Sequence, residues 1–224
     1  MGPLETPGKY DYTKDTTFRN GRERGLEMYE GYLGIKREAL EGKTILNVGT
    51  GEREEFETEL AEAGIHSKVY SVNPDLSQPE DRQRLLNNPQ WNRNTVASVA
   101  QALPFKDKYF DYVLAMFSVS VFLHPGENLE GAKLWASESA RVLKRGGEII
   151  ICPLYKNFYK EYEPLYRIWE RMGLKIQNLK NVKLHEVGMK FISWTDKTGN
   201  HREPVDPKEE SDYCRLVLQK PLKT

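Results

Sequence analysis

At 224 residues the chain is long enough to bury one substantial core and carry extensions, but short for two full domains. Lysine plus arginine match aspartate plus glutamate at 33 each, which argues against a dedicated nucleic-acid binder. The charge is uneven, with 11 basic and 5 acidic residues in 141–190 against 5 and 9 in 51–100, which reads as two differently charged solvated faces.

Residues 1–42 read as an N-terminal lid and helical extension. Tyr10, Tyr12, Phe18 and Arg19 lie in its polar first part, placed to fold over a ligand. Arg22–Leu40 carries Leu26, Tyr29, Leu33 and Leu40 roughly on one helical face, interrupted by Gly25, Gly31 and Gly34. Thr44–Val48 is a short strand of β-branched and apolar residues. It stops at Gly49-Thr50-Gly51, and a helix follows at once over Arg53–Ala63, with Phe56 and Leu60 inward. Further strands are predicted at Lys68–Asn73, Thr95–Val99, Phe110–Phe117 and Glu148–Cys152, with a short helix at Asp81–Leu86.

The clearest helix is Asn128–Leu143, striped by Leu129, Ala132, Ala136, Ala140 and Leu143 and ended by Lys144-Arg145-Gly146-Gly147. Another helix spans Tyr159–Met172. Extended segments follow at Lys175–Leu179, Met189–Thr195 and Tyr213–Gln219, with a polar loop over Asp196–Asp212. Residues 183–212 read as an insert or extra strand within a domain running from 43 to 224. Strands alternating with helices predict an α/β, doubly wound, mostly parallel sheet with helices on both faces.

Cys152 and Cys214 lie in apolar runs and read as buried free thiols, which suits a reducing compartment. With four scattered histidines they give no metal-ligand spacing, so no metal is expected. No apolar leader precedes the fold, and the longest apolar-rich run, Tyr112–Leu123, is too short for a bilayer. A cytoplasmic protein without membrane association is expected.

The turn after the first strand points to a ligand. Gly49 and Gly51 lack Cβ, so the chain can bend sharply and a ligand can lie against it. Glu52, Glu54 and Glu55 suit the dipole of the following helix but repel phosphate. Glu54 stands where a dinucleotide fingerprint needs its third glycine, and no Gly-Lys-Ser/Thr follows. A cationic ligand with a polar body fits better. S-adenosylmethionine, with its sulfonium and ammonium, is such a ligand.

Four motifs in order carry a family resemblance across Lys43–Cys152. Ile45-Leu46-Asn47-Val48-Gly49-Thr50-Gly51 comes first, and Val72-Asn73-Pro74 closes the second strand. Ala100-Gln101-Ala102-Leu103-Pro104-Phe105 precedes Phe110-Asp111-Tyr112-Val113, and Arg141-Val142-Leu143-Lys144-Arg145-Gly146-Gly147 precedes the fifth strand. The chain resembles a class I S-adenosylmethionine-dependent methyltransferase of the type 11 kind. That resemblance implies a Rossmann-like seven-stranded sheet, S-adenosylmethionine as cofactor and a transferase acting on a small or medium-sized acceptor. It places Asn47, Gly49, Thr50 and Gly51 beside the methionine part. It places Asn73 and Pro74 at ribose and adenine, Ala100 and Gln101 at the adenine edge, and Phe117 and Ser118 at the methionine end. The family usually carries acids where Asn47 and Asn73 stand, and often a polar residue where Val99 stands.

Methyl transfer from a sulfonium is an in-line displacement governed by alignment. An amine or thiolate acceptor needs no strong base, whereas a hydroxyl acceptor does. His124, after the fourth strand, is the candidate base, and its plainer reading is a loop histidine beside Pro125-Gly126. Asp111 reads as structural. The alternative function is a catalytically silent relative that binds a protein partner, which Asn47, Asn73 and Val99 favour. A nucleic-acid methyltransferase is disfavoured by the zero net charge.

Overall fold

The computed structural model describes residues 25–49, 55–73, 79, 82–83, 87, 94–116, 118–119, 129–155, 161–181, 194–195, 201–202 and 213–222. The chain begins with helix α1 (Leu26–Met28), a π-helical turn (Tyr29–Leu33) and a 3₁₀ turn (Arg37–Leu40). Strand β1 (Thr44–Val48), helix α2 (Glu55–Glu62), and strands β2 (Lys68–Val72), β3 (Thr95–Val96) and β4 (Phe110–Met116) come next. Helix α3 (Leu129–Val142), strand β5 (Leu143–Tyr155) and helix α4 (Glu163–Arg171) follow. The last strands are β6 (Lys175–Asn181), β7 (Trp194–Thr195), β8 (His201–Arg202) and β9 (Tyr213–Gln219).

Seven strands form one sheet in the order β3-β2-β1-β4-β5-β9-β6. β1 pairs in parallel with β2 and β4, β2 with β3, and β4 with β5. β9 runs antiparallel to both β5 and β6. This is the mostly parallel α/β sheet expected from the alternation of elements.

Strands covered on both faces need apolar residues at successive positions, and β1, β4 and β5 have them. Ile45, Leu114, Met116, Ile150 and Cys152 face one layer with Leu26, Tyr29, Tyr32, Leu33, Phe56 and Leu60. Leu46, Val48, Val113, Ala115, Ile149 and Ile151 face the other layer with Trp135, Ala136, Ala140, Leu165 and Trp169. The described part of the N-terminal extension is thus built into the core.

Several details differ from the sequence reading. The helix expected over Arg22–Leu40 breaks at Gly34, which adopts φ 61° and ends the π-helical turn. The buried stripe of α3 is Ala132, Trp135, Ala136, Ser139 and Ala140, a 3.6-residue period. Leu129 is exposed, and Leu143 already belongs to β5. Part of the loop expected at Asp196–Asp212 is strand: His201–Arg202 pairs with Trp194–Thr195 in a separate two-stranded ladder. Of the short helix expected at Asp81–Leu86 only residues 82–83 are described, and they are helical; most of 183–212 lies outside the described residues. No helix among the described residues is long and apolar enough to cross a membrane.

Candidate functional site

From β1 the chain winds outward to β2 and β3, and from β4 it winds the other way to β5. The direction reverses between β1 and β4. In open α/β sheets ligands bind at the carboxyl ends of the strands flanking such a reversal. Gly49 follows β1 there and Ser118 follows β4.

Gly49 has φ 77°, which favours glycine. A Cβ built on it would lie 2.3 Å from Ser118 Cβ and 3.2 Å from Ser118 Oγ. The space beside Gly49, expected to receive ligand, is therefore shared with the Ser118 side chain. The Ser118 hydroxyl is buried and has no hydrogen-bond partner among the described residues. A buried hydroxyl left this way costs about 1–3 kcal/mol. A polar ligand atom in the crevice would recover that cost.

Asn47 is fully buried on the α2 side of β1. The Tyr29 hydroxyl donates to its Oδ1 at 2.8 Å, and its Nδ2 donates to Glu57 Oε1 at 3.3 Å. Ser71, opposite Asn47 on β2, donates its hydroxyl to the same Glu57 oxygen at 2.7 Å. The resemblance puts residue 47 at the cofactor; here both polar atoms of its side chain are spent inside the protein. An aspartate at 47 would set two carboxylates against each other, whereas the asparagine amide donates.

Asn73 ends β2, is buried, and donates its N–H to the Val96 carbonyl at 3.0 Å. Ala100 and Gln101 are half-buried in the turn after β3. That turn is closed by Ala102 N–H to Val99 O at 3.1 Å and by Ser98 Oγ to Ala102 O at 2.6 Å. Topology thus brings Gly49, Asn73, Ala100, Gln101 and Ser118 to one edge of the sheet. Thr50, Gly51, Pro74, Phe117 and His124 lie outside the described residues. Tyr29, Glu57 and Ser71 escape the sequence reading. The signal for them was an asparagine inside an apolar strand, since a buried amide demands partners.

The other conspicuous residues of the motifs sit at the opposite edge. The Asp111 carboxylate accepts from Lys144 Nζ and from the Thr44 N–H, each at 2.8 Å. Burial pushes its pKa up, but the bonds from Lys144 and Thr44 outweigh this and hold it below the usual range. Burial also pushes the Cys152 thiol far up, so it stays protonated and inert. Among the described residues no group of three or more His, Cys, Asp or Glu is arranged to hold a metal ion.

Residues 46–151 match a family model described as a methyltransferase domain. Over that stretch, a little under half of the chain, it is similar to the class I S-adenosylmethionine-dependent methyltransferases. The demethylmenaquinone methyltransferase of Tropheryma whipplei (strain Twist) is 28% identical to this chain over 134 residues, which are 59% of this chain and 50% of that one. The chain thus spans about half the length of the curated relatives it matches. A solved S-adenosylmethionine-dependent methyltransferase of Methanosarcina mazei shares the fold with a TM-score of 0.52 and 16% identity, covering 82% of this chain and 94% of that one. A Haloferax volcanii complex of the Trm112 methyltransferase activator with a methyltransferase also shares the fold, at TM-score 0.55 and 16% identity over 90% of this chain and 92% of that one.

The cofactor of this family is S-adenosylmethionine, and the residues at the switch point fit it. Among the described residues the Ser118 hydroxyl is buried without a partner, the Gly49 backbone lies against it, and none of the residues named at this edge is Lys or Arg.

Proposed function

We propose that this protein transfers a methyl group from S-adenosylmethionine to a small or medium-sized acceptor. The observation that supports this best is the unpartnered Ser118 hydroxyl, buried against Gly49 where the winding of the sheet reverses. When bound, S-adenosylmethionine supplies an electrophilic methyl group on a sulfonium. Gly49 would border its methionine part, and Ser118 would hydrogen-bond a polar atom at that end. Asn73 would reach the ribose hydroxyls, and Ala100 and Gln101 would flank adenine.

The protein's share of the chemistry is alignment and exclusion of water. For a hydroxyl acceptor His124 is the candidate base, whereas an amine or thiolate acceptor needs none. Two buried free thiols suit a cytoplasmic setting. The balanced charge gives no general attraction to nucleic acid.

The test is turnover with methyl-labelled S-adenosylmethionine against a panel of small acceptors. Demethylmenaquinone, named in the 28% identical relatives, comes first. Label should pass to an acceptor as demethylated cofactor accumulates. If millimolar S-adenosylmethionine neither binds nor turns over with any acceptor, the reading is wrong.

A further inference from the structure

The segment 25–34 is held at three points. At its start the Leu26 N–H donates to Glu59 Oε2 of α2 at 2.6 Å, and a Cβ on Gly25 would run into that carboxylate at 2.4 Å. In its middle the Tyr29 ring stacks on Phe56 of α2, with centroids 4.0 Å apart and planes 18° apart. At its end Arg215 of β9 reaches across Gly34, where a Cβ would meet the guanidinium, and donates Nη1 to the Tyr32 carbonyl at 3.3 Å. All three contacts are to α2 or β9, outside the turn that follows β1. Tyr29 also bonds Asn47, two residues before Gly49.

Asn47 is therefore a junction. Its oxygen faces the N-terminal segment through Tyr29, and its nitrogen faces α2 through Glu57. Glu57 in turn spans β1 and β2 by accepting from Asn47 and Ser71. The same Tyr29 opens the π-helical turn Tyr29–Leu33. Such turns interrupt regular helices and occur often at functional sites.

We infer that Tyr29 and Glu57 are positioning residues: acting through Asn47, they couple docking of the N-terminal helical segment to cofactor binding at the turn after β1. This rests on the methyltransferase reading of that turn. Loss of the Tyr29–Asn47 bond frees the side chain that steadies the approach to Gly49. Linkage is reciprocal, so a ligand at Gly49 tightens the segment by the factor with which the segment tightens the ligand.

The test combines calorimetry with amide hydrogen exchange, both well below the melting temperature. Wild-type protein should bind S-adenosylmethionine and gain exchange protection over residues 26–33. Tyr29→Phe keeps the ring stack and removes the hydroxyl. It should weaken binding about fivefold or more and abolish the gain in protection. Asn47→Asp should weaken binding similarly by opposing Glu57. Asn47→Asp/Glu57→Gln, which moves the single carboxylate to position 47, should recover wild-type affinity within about twofold. That rescue keeps the inference falsifiable if Tyr29→Phe folds poorly.

A purely structural role would lower the melting temperature of Tyr29→Phe and leave its affinity and ligand-induced protection unchanged. That result, with the wild type binding, overturns the inference alone. A wild type that binds no S-adenosylmethionine overturns the methyltransferase reading and this inference together.

Discussion

Among the described residues, Arg141, Glu138 and Asp111 at the amino-terminal edge of the sheet are held by partners, whereas at the carboxyl-terminal edge the buried Ser118 hydroxyl is not. Arg141 uses all five of its N–H donors at the first edge. Nη1 reaches Phe105 O at 2.7 Å and Asp107 at 2.9 Å. Nη2 reaches Leu103 O at 3.0 Å and Glu138 at 2.7 Å, and Nε reaches the other Glu138 oxygen at 2.7 Å. Glu138 also accepts the Leu103 N–H at 2.8 Å. Gly147 belongs to the same lock, because a Cβ there would meet Asp111 O at 2.7 Å. At the second edge Ser118 keeps a buried polar atom unsatisfied beside Gly49. The contrast separates stability from binding: one edge is closed by its own pairs, and the other leaves a buried hydroxyl where the proposed function places a ligand.

The strongest break of this comparison is Arg141→Met. It strands Glu138 and two carbonyls, at a cost of about 2–4 kcal/mol in urea unfolding. Affinity for S-adenosylmethionine in the remaining folded protein should stay within about twofold. Gly49→Ala comes next. Its methyl group meets Ser118 and its φ is strained, so stability should fall by about 1–3 kcal/mol and affinity by more than tenfold. If Arg141→Met costs as much affinity as Gly49→Ala, the division between the two edges is wrong.

Most of what the sequence displays belongs to the closed edge. Leu103, Phe105, Asp111, Arg141, Lys144 and Gly147 stand in recognisable order because one lock needs all of them, and they identify the fold. The parallel sheet was legible from strand-helix alternation, and Gly49 and Ser118 from their places just after β1 and β4. The Tyr29–Asn47–Glu57–Ser71 group was not. Its members lie 10 to 18 residues or more apart on four elements, and each alone looks ordinary. Tyr29 matches a core aromatic, and Glu57 matches the solvent side of a helix whose inward residues are Phe56 and Leu60. Asn47 donates to a carboxylate that α2 supplies, which sequence spacing does not reveal. Trp135 was missed in the α3 stripe because the alanines around it dominated the pattern.

The smallest expected effects sharpen the contrast through pH. The bond from Arg141 holds the Glu138 carboxyl below its usual range against its burial, and Asp111 is likewise lowered. Carboxylates depressed by folding stabilise above their unfolded pKa values, about 4, and lose that contribution as pH falls through the folded values. Glu148 has the opposite sign, since burial alone raises it. Its ionisation opposes folding, so stability is lost as pH rises from about 4 through the folded pKa. Urea melts should show wild type weakening below about pH 4. Glu148→Gln should be slightly more stable than wild type at pH 7 and no more stable at pH 3. A Glu148→Gln protein less stable than wild type at pH 7 would contradict the burial argument.

Ser118→Ala reports on the open edge most directly, because binding and stability should move in opposite directions. Melting temperature without ligand should hold or rise, since an unsatisfied buried hydroxyl is removed. Calorimetric affinity for S-adenosylmethionine should fall about five- to tenfold, the worth of about one hydrogen bond. An unchanged affinity, or a variant that loses stability instead, would show that the Ser118 hydroxyl serves the fold and not a ligand.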